Sequence, residues 1–367
     1  MFELTVKKNK GFLKPTFWIL LALIGLLLTS CGSQAPQVTT LAGDGRGFAD
    51  GKGEAAQFDS PLDVTADEKG NVYVADSANH RVRLIAPSGA VTTLAGSAEV
   101  GDADGVGSAA RFSSITGIAL APSGVVFLAD SVEMDPHPMR VRALTPAGEV
   151  STLAGGTEAG YTDGKGSAAF FRTPANLTID KDGNIYVADT NNHRIRLVKA
   201  DGTVSTFAGP VGSGYAAGYK DGMASEAKFN SPRGVAVDAA GNLYVADTGN
   251  HCIRKITPDG QVTTLAGSKE AGYADGVGAE ARFNFPADIA VDAQGNLYVA
   301  DTANHRIRKI TPEGVVSTLA GSGQAGFADG AADAAQFRAP EGIAVDARGN
   351  VYVADTGNNR IRKIIVP

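Results

Sequence analysis

The sequence predicts an all-β protein, a six-bladed β-propeller built from four-stranded antiparallel blades. The first observation is a unit of about 54 residues that occurs six times, each copy containing an Ala-Asp pair whose Asp is Asp76, Asp130, Asp189, Asp247, Asp301 or Asp355. The second is that the motif V-[ST]-T-[LF]-A-G follows five copies but is missing after the sixth, and occurs instead at residues 38–43. A repeat of this length indicates a structural unit that stacks on its neighbours.

Each unit has the pattern of four short strands separated by turns. In the fifth unit the segments are residues 288–292, 296–301, 306–310 and 316–320, with the turn sequences "AQG" and "TPEG" between them. The segments are rich in β-branched residues, which suit pleated strands, and the glycines suit turns with positive φ. Four strands per unit, repeated six times, predict the six blades of a propeller.

The displaced motif predicts how the ring closes. The sixth unit ends at Pro367 after only three strands. An unpaired sheet edge would expose a row of backbone donors and acceptors, and a closed ring removes that edge. We therefore expect residues 38–42 to supply the outermost strand of the last blade.

The first thirty residues have the pattern of an export signal. A basic head precedes an apolar run of roughly 13 residues at 16–28, shorter than the ~20 that a membrane-spanning helix needs. The run ends in Leu-Thr-Ser-Cys, which resembles the lipobox of bacterial lipoproteins and predicts lipidation of Cys31. The expected organisation is a signal peptide at 1–30, the lipidated cysteine and tether at 31–37, and the propeller at 38–367. The alternative is an ordinary signal peptide in which Cys31 has no role.

Charge and cysteine content restrict the compartment and the partners. The whole chain has a net charge of -6, and without residues 1–30 it holds 29 basic and 38 acidic residues, a net -9. Binding to phosphate backbones depends on clustered Lys and Arg, so we expect no nucleic-acid partner. Lipidation of Cys31 would leave Cys252 unpaired, so no disulfide is expected.

One motif carries a family resemblance. The pattern D-x-x-N-H-R-[IV]-R at residues 76–83 and 301–308 resembles the NHL repeat, a known propeller-blade family. The resemblance covers about nine tenths of the chain, with a specific match in five units and a weaker one in the second. It implies the same fold as the strand pattern.

Positions that all six units share are expected to serve the blade rather than a ligand. They are the Asp of each Ala-Asp pair, the Asp of an Asp-Gly pair that recurs from Asp50 to Asp329, an Arg and a Phe. The shared Arg and Phe residues are Arg83, Arg142, Arg196, Arg254, Arg308 and Arg362, and Phe58, Phe112, Phe171, Phe229, Phe283 and Phe337. We interpret Asp and Arg as turn-ordering or inter-blade ion pairs, and Phe as packing between blades. The repeated histidines, His80, His193, His251 and His305, fall under the same interpretation.

Positions that break the repeat are the candidate ligand site. Two insertions, within residues 131–139 and 210–219, fall in loops that the strand order places on one face. Loops on a rigid scaffold commonly carry function. Two predicted ligand-binding residues lie at the centre of this face, Arg233 and Glu341. Four more lie on its rim: Glu133, Asp135, Tyr215 and Tyr219.

A candidate metal site lies where the innermost strands begin. Asp63, Asn176 and Asp288 replace Gly in alternate units and offer oxygen ligands for a divalent cation, provided that their side chains face the channel. Propeller lactonases of the gluconolactonase class, which are similar in shape, bind a metal through acidic and amide residues just before that Gly. Only Glu341 fits that position here, and no other cofactor is expected.

The expected function is that of a binding scaffold, lipid-anchored on the extracytoplasmic side of the bacterial cell envelope. Its expected partner is an envelope protein, a peptide or a glycan. The alternative is a metal-dependent lactonase or lyase. The sequence has no G-x-S-x-G nucleophile motif and nominates no catalytic residue.

Overall fold

The computed structural model describes residues 35–131, 138–210 and 216–367. These residues form six antiparallel sheets. The innermost strand of each sheet contacts that of the next, and the sixth contacts the first, so that the sheets close a ring around one axis. The prediction of an all-β, six-bladed propeller is confirmed.

The strands are named by their position in the blade, from the axis outward. The inner strands are Pro61–Ala66, Ile115–Leu120, Pro174–Ile179, Val235–Val237, Pro286–Val291 and Ile343–Val345. The second strands are Val72–Asp76, Val126–Asp130, Ile185–Asp189, Leu243–Asp247, Leu297–Asp301 and Val351–Asp355. The third strands are Arg81–Ile85, Arg140–Leu144, Arg194–Val198, Cys252–Ile256, Arg306–Ile310 and Arg360–Ile365.

The fourth strands are Ala90–Gly96, Glu149–Ala154, Thr203–Ala208, Gln261–Gly267, Val315–Ala320 and, in blade 6, Gln37–Ala42. Outside them lie short edge strands: Gly51–Lys52, Gly105–Val106, Gly164–Lys165, Gly222–Met223, Gly276–Val277 and Gly330–Ala331. Single 3-10 turns are Gly53–Ala55, Gly107–Ala109, Gly166–Ala168 and Gly278–Glu280, and, between second and third strands, Ser77–Asn79, Thr190–Asn192, Thr248–Asn250, Thr302–Asn304 and Thr356–Asn358.

The edge strands make each blade five-stranded rather than four-stranded as predicted. Each one comes from the connection that leads into its own blade and pairs antiparallel with the fourth strand. The sequence gives no sign of them because two residues are too few to show a strand periodicity. By covering part of the outer edge, they shorten the row of unpaired backbone groups that the blade presents to solvent.

The predicted crossing of the seam is present. Gln37–Ala42 pairs with Arg360–Ile365 of the last blade, from Gln37 opposite Ile365 to Ala42 opposite Ile361. We expected it to be the outermost strand of the blade. It is instead the fourth of five strands, because Gly330–Ala331 pairs with its other edge. The backbone N–H of Thr40 also donates to Asp329 Oδ2 at 3.0 Å, which further ties Gln37–Ala42 to blade 6.

The shared Asp and Arg residues form ion pairs within each blade. In blade 1, Arg83 Nη1 lies 2.6 Å from Asp76 Oδ2 and its Nη2 lies 2.7 Å from Asp50 Oδ1, and the Arg83 side chain is fully buried. Asp76 also accepts the backbone N–H of Asp59, which ties the second strand to the loop before the inner strand. Removing one partner of such a buried pair typically costs about 3–5 kcal/mol. The ion pairs order turns and do not join blades.

The shared Phe residues pack between blades, as predicted. Phe58 is fully buried in a cluster that combines Val64 and Val72 of blade 1 with Tyr352 and Ala354 of blade 6. The other interfaces between blades repeat this arrangement. Burial of each ring contributes about 1.5–3 kcal/mol.

Three of the four repeated histidines, His193, His251 and His305, make an inter-blade contact through Nδ1, whereas His80 Nδ1 has no described partner. His193 Nδ1 accepts the backbone N–H of Ser231 in the next blade at 2.9 Å, and its backbone is left-handed, with φ of 55°. In the sixth unit Asn359 replaces histidine, and its Oδ1 accepts the N–H of Ser60 in blade 1 at 2.8 Å. Asn is tolerated in the left-handed conformation and offers an acceptor, so it performs the same task.

A hydroxyl residue follows the Asp of each Ala-Asp pair and also joins neighbouring blades. In each case the hydroxyl donates to a backbone carbonyl in the next blade. The acceptor is the first residue of the inner strand or, in blades 4 and 6, where the inner strand is shorter, the residue at the equivalent repeat position. The six pairs are Ser77 with Ile115, Ser131 with Pro174, Thr190 with Pro232, Thr248 with Pro286, Thr302 with Pro340 and Thr356 with Pro61.

Candidate functional site

The mouth face is defined here as the end of the propeller at which the inner strands begin. Arg233 of blade 4 and Glu341 of blade 6 lie there and form an ion pair, with Arg233 Nη2 2.6 Å from Glu341 Oε2. Their side chains are 37% and 19% exposed. Because blade 5 lies between these two blades, the pair spans the opening of the central channel.

The backbones of the two residues are fixed by their own blades. The N–H of Arg233 donates to the carbonyl of Ala246, and the N–H of Glu341 donates to the carbonyl of Ala354, in each case on the second strand. Arg233 and Glu341 precede inner strands of only three residues, whereas the inner strands of the other four blades have six. The structure therefore brings together the two predicted central residues.

Beneath this pair, Asp63, Asn176 and Asp288 converge on the axis, and we call them the axis cluster. The Nδ2 atom of Asn176 donates to Asp63 Oδ2 at 3.0 Å. The pairing of each inner strand with its second strand is irregular just before these residues, for example between Pro61 and Asp63. That irregularity determines the register that the sequence left open, and all three side chains are at least nine-tenths buried.

Alternation of a polar side chain with glycine lets the inner strands approach closely at this level. A Cβ atom on Gly342 would lie 2.4 Å from the Cα of Asp63, and one on Gly234 would lie 2.5 Å from the Cα of Asp288. Gly117 stands in the same relation to Asn176, at 2.7 Å. A side chain in every blade would therefore not fit, which explains why the cluster has three members rather than six.

Burial controls the ionisation of the two carboxyl groups. Burial, followed by the nearby carboxylate of Asp288, raises the pKa of Asp63 well above its usual range. Burial also raises the pKa of Asp288, to about 7. Within residues 35–131, 138–210 and 216–367, no group of three or more His, Cys, Asp or Glu side chains has a metal-binding arrangement. A metal at the axis would have to use two carboxylates and an amide.

A cavity of about 180 Å³ lies along the channel next to the axis cluster. Its lining is contributed by all six inner strands and consists mainly of small and aliphatic residues, among them Thr65, Ala119, Thr178 and Ala236. A second space of about 20 Å³ separates the axis cluster from Arg233 and Glu341. The channel is therefore constricted near the mouth face and wider beyond the axis cluster.

The other predicted site residues are not part of this centre. Tyr219 lies towards the outside of its blade, where its hydroxyl is 2.8 Å from Thr264 Oγ1 on the fourth strand. Phe48, Tyr161, Tyr273 and Phe327 occupy the position of Tyr219 in other units, and they stack on arginines, as Phe48 does under Arg81, with the guanidinium carbon 3.9 Å from the ring centroid. The remaining predicted residues lie outside the described residues: Cys31, Glu133, Asp135 and Tyr215.

Sequence reasoning did not identify two features that build the site. One is the role of Gly117, Gly234 and Gly342, whose absence of a side chain is required by the cluster. The other is the inter-blade hydroxyl. A signal was present for both, because Gly alternates with Asp or Asn at one repeat position and Ser or Thr follows the Ala-Asp pair in all six units.

Comparisons with known proteins agree with this architecture. A family model described as NHL repeat matches residues 58–83, 171–196, 229–256, 283–310 and 337–364, which leaves the second unit unmatched. NHL repeat-containing protein 2 of Bos taurus is 30% identical over 341 residues, covering 82% of this chain and 46% of that protein. Protein SUPPRESSOR OF QUENCHING 1, chloroplastic, of Arabidopsis thaliana is 30% identical over 291 residues, covering 75% and 27%.

The chain thus spans less than half the length of these two relatives. Among solved structures, an auxiliary nutrient binding protein from Bacteroides thetaiotaomicron is similar, with a TM-score of 0.69 and 20% identity over 90% of this chain and 76% of that one. At that identity the likeness shows the fold alone. The chain belongs to the NHL-repeat family, and its six repeat units are the blades of a β-propeller.

Proposed function

We propose that this protein is a binding scaffold of the bacterial cell envelope that takes a protein, peptide or glycan on its mouth face. The observation that carries the proposal is the ion pair between Arg233 and Glu341, because it places two charges that break the six-fold repeat over the channel. The buried ion pairs recur in every blade and serve the fold. This one has no counterpart at the other four equivalent positions: Leu62, Thr116, Ala175 and Ala287.

The pair is suited to exchange partners with a ligand. Because Arg233 and Glu341 keep part of their side chains in contact with solvent, separating them costs less than separating a fully buried ion pair. The released guanidinium offers several N–H donors to a carboxylate or to sugar hydroxyls, and the released carboxylate accepts hydrogen bonds. Neither residue is needed to hold its own blade together through its side chain.

The two insertions begin at strand ends on the mouth face. The insertion in blade 2 follows Asp130, which pairs with Ile115 at the mouth end of the inner strand. The insertion before blade 4 follows the fourth strand that ends at Ala208, also at the mouth end because Ala208 pairs with Ile195 near the start of the third strand. Both insertions therefore start from the same face of the propeller as Arg233 and Glu341.

The position of the first strand supports anchoring that leaves the mouth face free. Gln37 pairs with Ile365 at the end of blade 6 that is opposite the mouth face. Only residues 32–36 separate Gln37 from Cys31, a reach of at most about 20 Å. A lipid on Cys31 would hold the opposite face towards the membrane and leave the mouth face directed away from it.

A binding role is also the description given to the Bacteroides neighbour, which is called an auxiliary nutrient binding protein. The competing function, a metal-dependent lactonase or lyase, would use acidic or amide residues immediately before the inner-strand Gly. Here Glu341 is the acidic residue at that position, and its carboxylate is paired with Arg233 rather than directed at an open metal position. We therefore favour the scaffold.

Two experiments test the proposal. Cys31→Ser should release the chain from the membrane fraction or leave the precursor unprocessed, since two or more acyl chains are needed for stable anchoring. Unchanged fractionation and unchanged mass would contradict the anchor.

Capture from detergent-solubilised envelopes should weaken for Arg233→Glu and persist for Glu313→Lys, a change on the opposite face. Equal capture by both variants would contradict the mouth-face site.

A further inference from the structure

The axis cluster has an organisation that the binding role of the mouth face does not use. Asp63 Oδ2 accepts the backbone N–H of Ile118 in the next blade at 2.8 Å, and Asp288 Oδ2 accepts the N–H of Ile343 in the same way at 2.8 Å. Each N–H belongs to the channel edge of an inner strand. The two carboxyl groups are thereby fixed in position by backbone atoms.

These carboxyl groups form no ion pair with a basic side chain among the described residues, although the positive charge of Arg233 partly opposes the rise in the pKa of Asp288. Their described hydrogen bonds come from backbone N–H groups, from Asn176 and from a contact between the two carboxyl groups themselves, and none comes from Lys or Arg. In addition, Asp288 Oδ1 is buried and has no hydrogen-bond partner among the described residues, in a side chain that is 5% exposed. Burying two neighbouring carboxyl groups that no basic side chain contacts directly disfavours their charged forms, so a ligand that supplies positive charge would be stabilised here.

The chemistry of the three side chains specifies the ligand. They offer carboxylate and amide oxygens and no sulfur or imidazole, which is the preference of hard cations such as Ca²⁺ or Mg²⁺. The amide of Asn176 presents its oxygen after a 180° rotation, which exchanges Oδ1 and Nδ2 without moving the backbone. The adjoining cavity of about 180 Å³ has room for several water molecules at about 30 Å³ each to complete the coordination shell.

We propose that the axis cluster of Asp63, Asn176 and Asp288 binds one hard divalent cation, with calcium as the best fit, and that this ion joins blades 1, 3 and 5. Calcium tolerates irregular geometry and a mixture of protein and water ligands, whereas magnesium requires a near-ideal octahedron. The ion is structural in this proposal and does not require an enzymatic activity. Its effect is on the stability of the ring.

The test is calorimetric titration of CaCl₂ into the full-length chain, purified in detergent and stripped with chelator. We expect one ion per chain with a dissociation constant of about 0.1–1 mM, the range of extracellular calcium modules, and a higher melting temperature with saturating Ca²⁺. Asp288→Asn should weaken binding at least about tenfold, because affinity follows the number of charged ligands. Asn176→Asp, which adds a carboxylate, should strengthen it by a similar factor.

Glu341→Gln is the matched control, because it removes a carboxylate from the mouth face and leaves the axis cluster intact. Its calcium affinity should equal that of the wild type. The proposal is overturned if Ca²⁺ and Mg²⁺ neither bind nor raise the melting temperature up to about 10 mM, well above the range expected for such modules. It is also overturned if Asn176→Asp leaves the affinity unchanged, or if Glu341→Gln alone abolishes binding. The gain expected for Asn176→Asp keeps the test informative even if Asp288→Asn does not fold.

Discussion

Thr356 donates its hydroxyl hydrogen to the carbonyl oxygen of Pro61 at 2.6 Å, which joins the last blade to the first across 295 residues of sequence. An equivalent hydrogen bond occurs at each of the other five interfaces between neighbouring blades. The ring is therefore closed by the same contact that links consecutive units. The seam differs from the other interfaces because the sheet of blade 6 also contains Gln37–Ala42, which precedes blade 1 in the sequence.

Thr356→Val should destabilise the ring. Valine keeps the shape of threonine but leaves the Pro61 carbonyl without its donor, and an unsatisfied buried acceptor costs about 1–3 kcal/mol. The measurement is the free energy of unfolding by denaturant. Thr263→Val is the control, since Thr263 has a solvent-exposed side chain on a fourth strand. An equal effect of both changes would contradict the role of the hydroxyl.

Deletion of residues 37–42 should destabilise the protein far more than deletion of residues 32–36. The first deletion removes the strand between Arg360–Ile365 and Gly330–Ala331, and with it the fully buried side chains of Val38 and Ala42. We expect a loss of more than about 3 kcal/mol from lost burial and unpaired backbone. Thermal melts of the two deletions decide the matter. Equal midpoints would mean that the strand does not hold the ring closed.

The histidine contact should make stability depend on pH. Burial, with Arg194 and Arg172 nearby, lowers the pKa of His193 below its ordinary value. The unfolded chain, with a pKa of about 6.5, then binds the proton more readily than the folded chain. The stability that His193 contributes is therefore fully present above that pH and is lost as pH falls through the lower folded-state pKa.

His193→Asn provides the test, because Asn359 already fills the equivalent position in the sixth unit and does not titrate. The free energy of unfolding of the wild type relative to this variant should decrease between about pH 8 and about pH 5. Denaturant unfolding at the two pH values measures the difference. A difference that stays constant would show that protonation of His193 does not weaken the contact.

The repeat explains why so much of the fold was predictable and so little of the site. The strand pattern, the packing of Phe58 and the seam all follow from comparing six copies within one chain, because a feature present in every copy must serve the blade. The two-residue edge strands have no periodicity to detect. The direction of Asp63 depended on a one-residue register, which an irregularity in strand pairing determines and composition does not reveal.

The candidate site was only partly predictable for a related reason. The break in symmetry identified Arg233 and Glu341. Their direct contact was not predictable, because the two residues are 108 positions apart in the sequence and both side chains must reach across blade 5. Tyr219 was selected because it lies beside an insertion, yet its hydroxyl contact with Thr264 is repeated by Tyr161 and Tyr273 in their own blades. Proximity in sequence to a variable loop is a weaker indication than a break in the repeat.

The central claim, that the mouth face binds the ligand through Arg233 and Glu341, is tested most directly by a charge exchange. Binding to immobilised envelope fragments is measured for the wild type, Arg233→Glu, Glu341→Arg and the double exchange, with melting temperatures alongside. We predict that both single changes weaken binding at least about tenfold, about 1.4 kcal/mol, with nearly unchanged melting temperatures, and that the double exchange does not restore binding. Wild-type binding by all three variants, together with loss of binding by Glu313→Lys on the opposite face, would contradict the account.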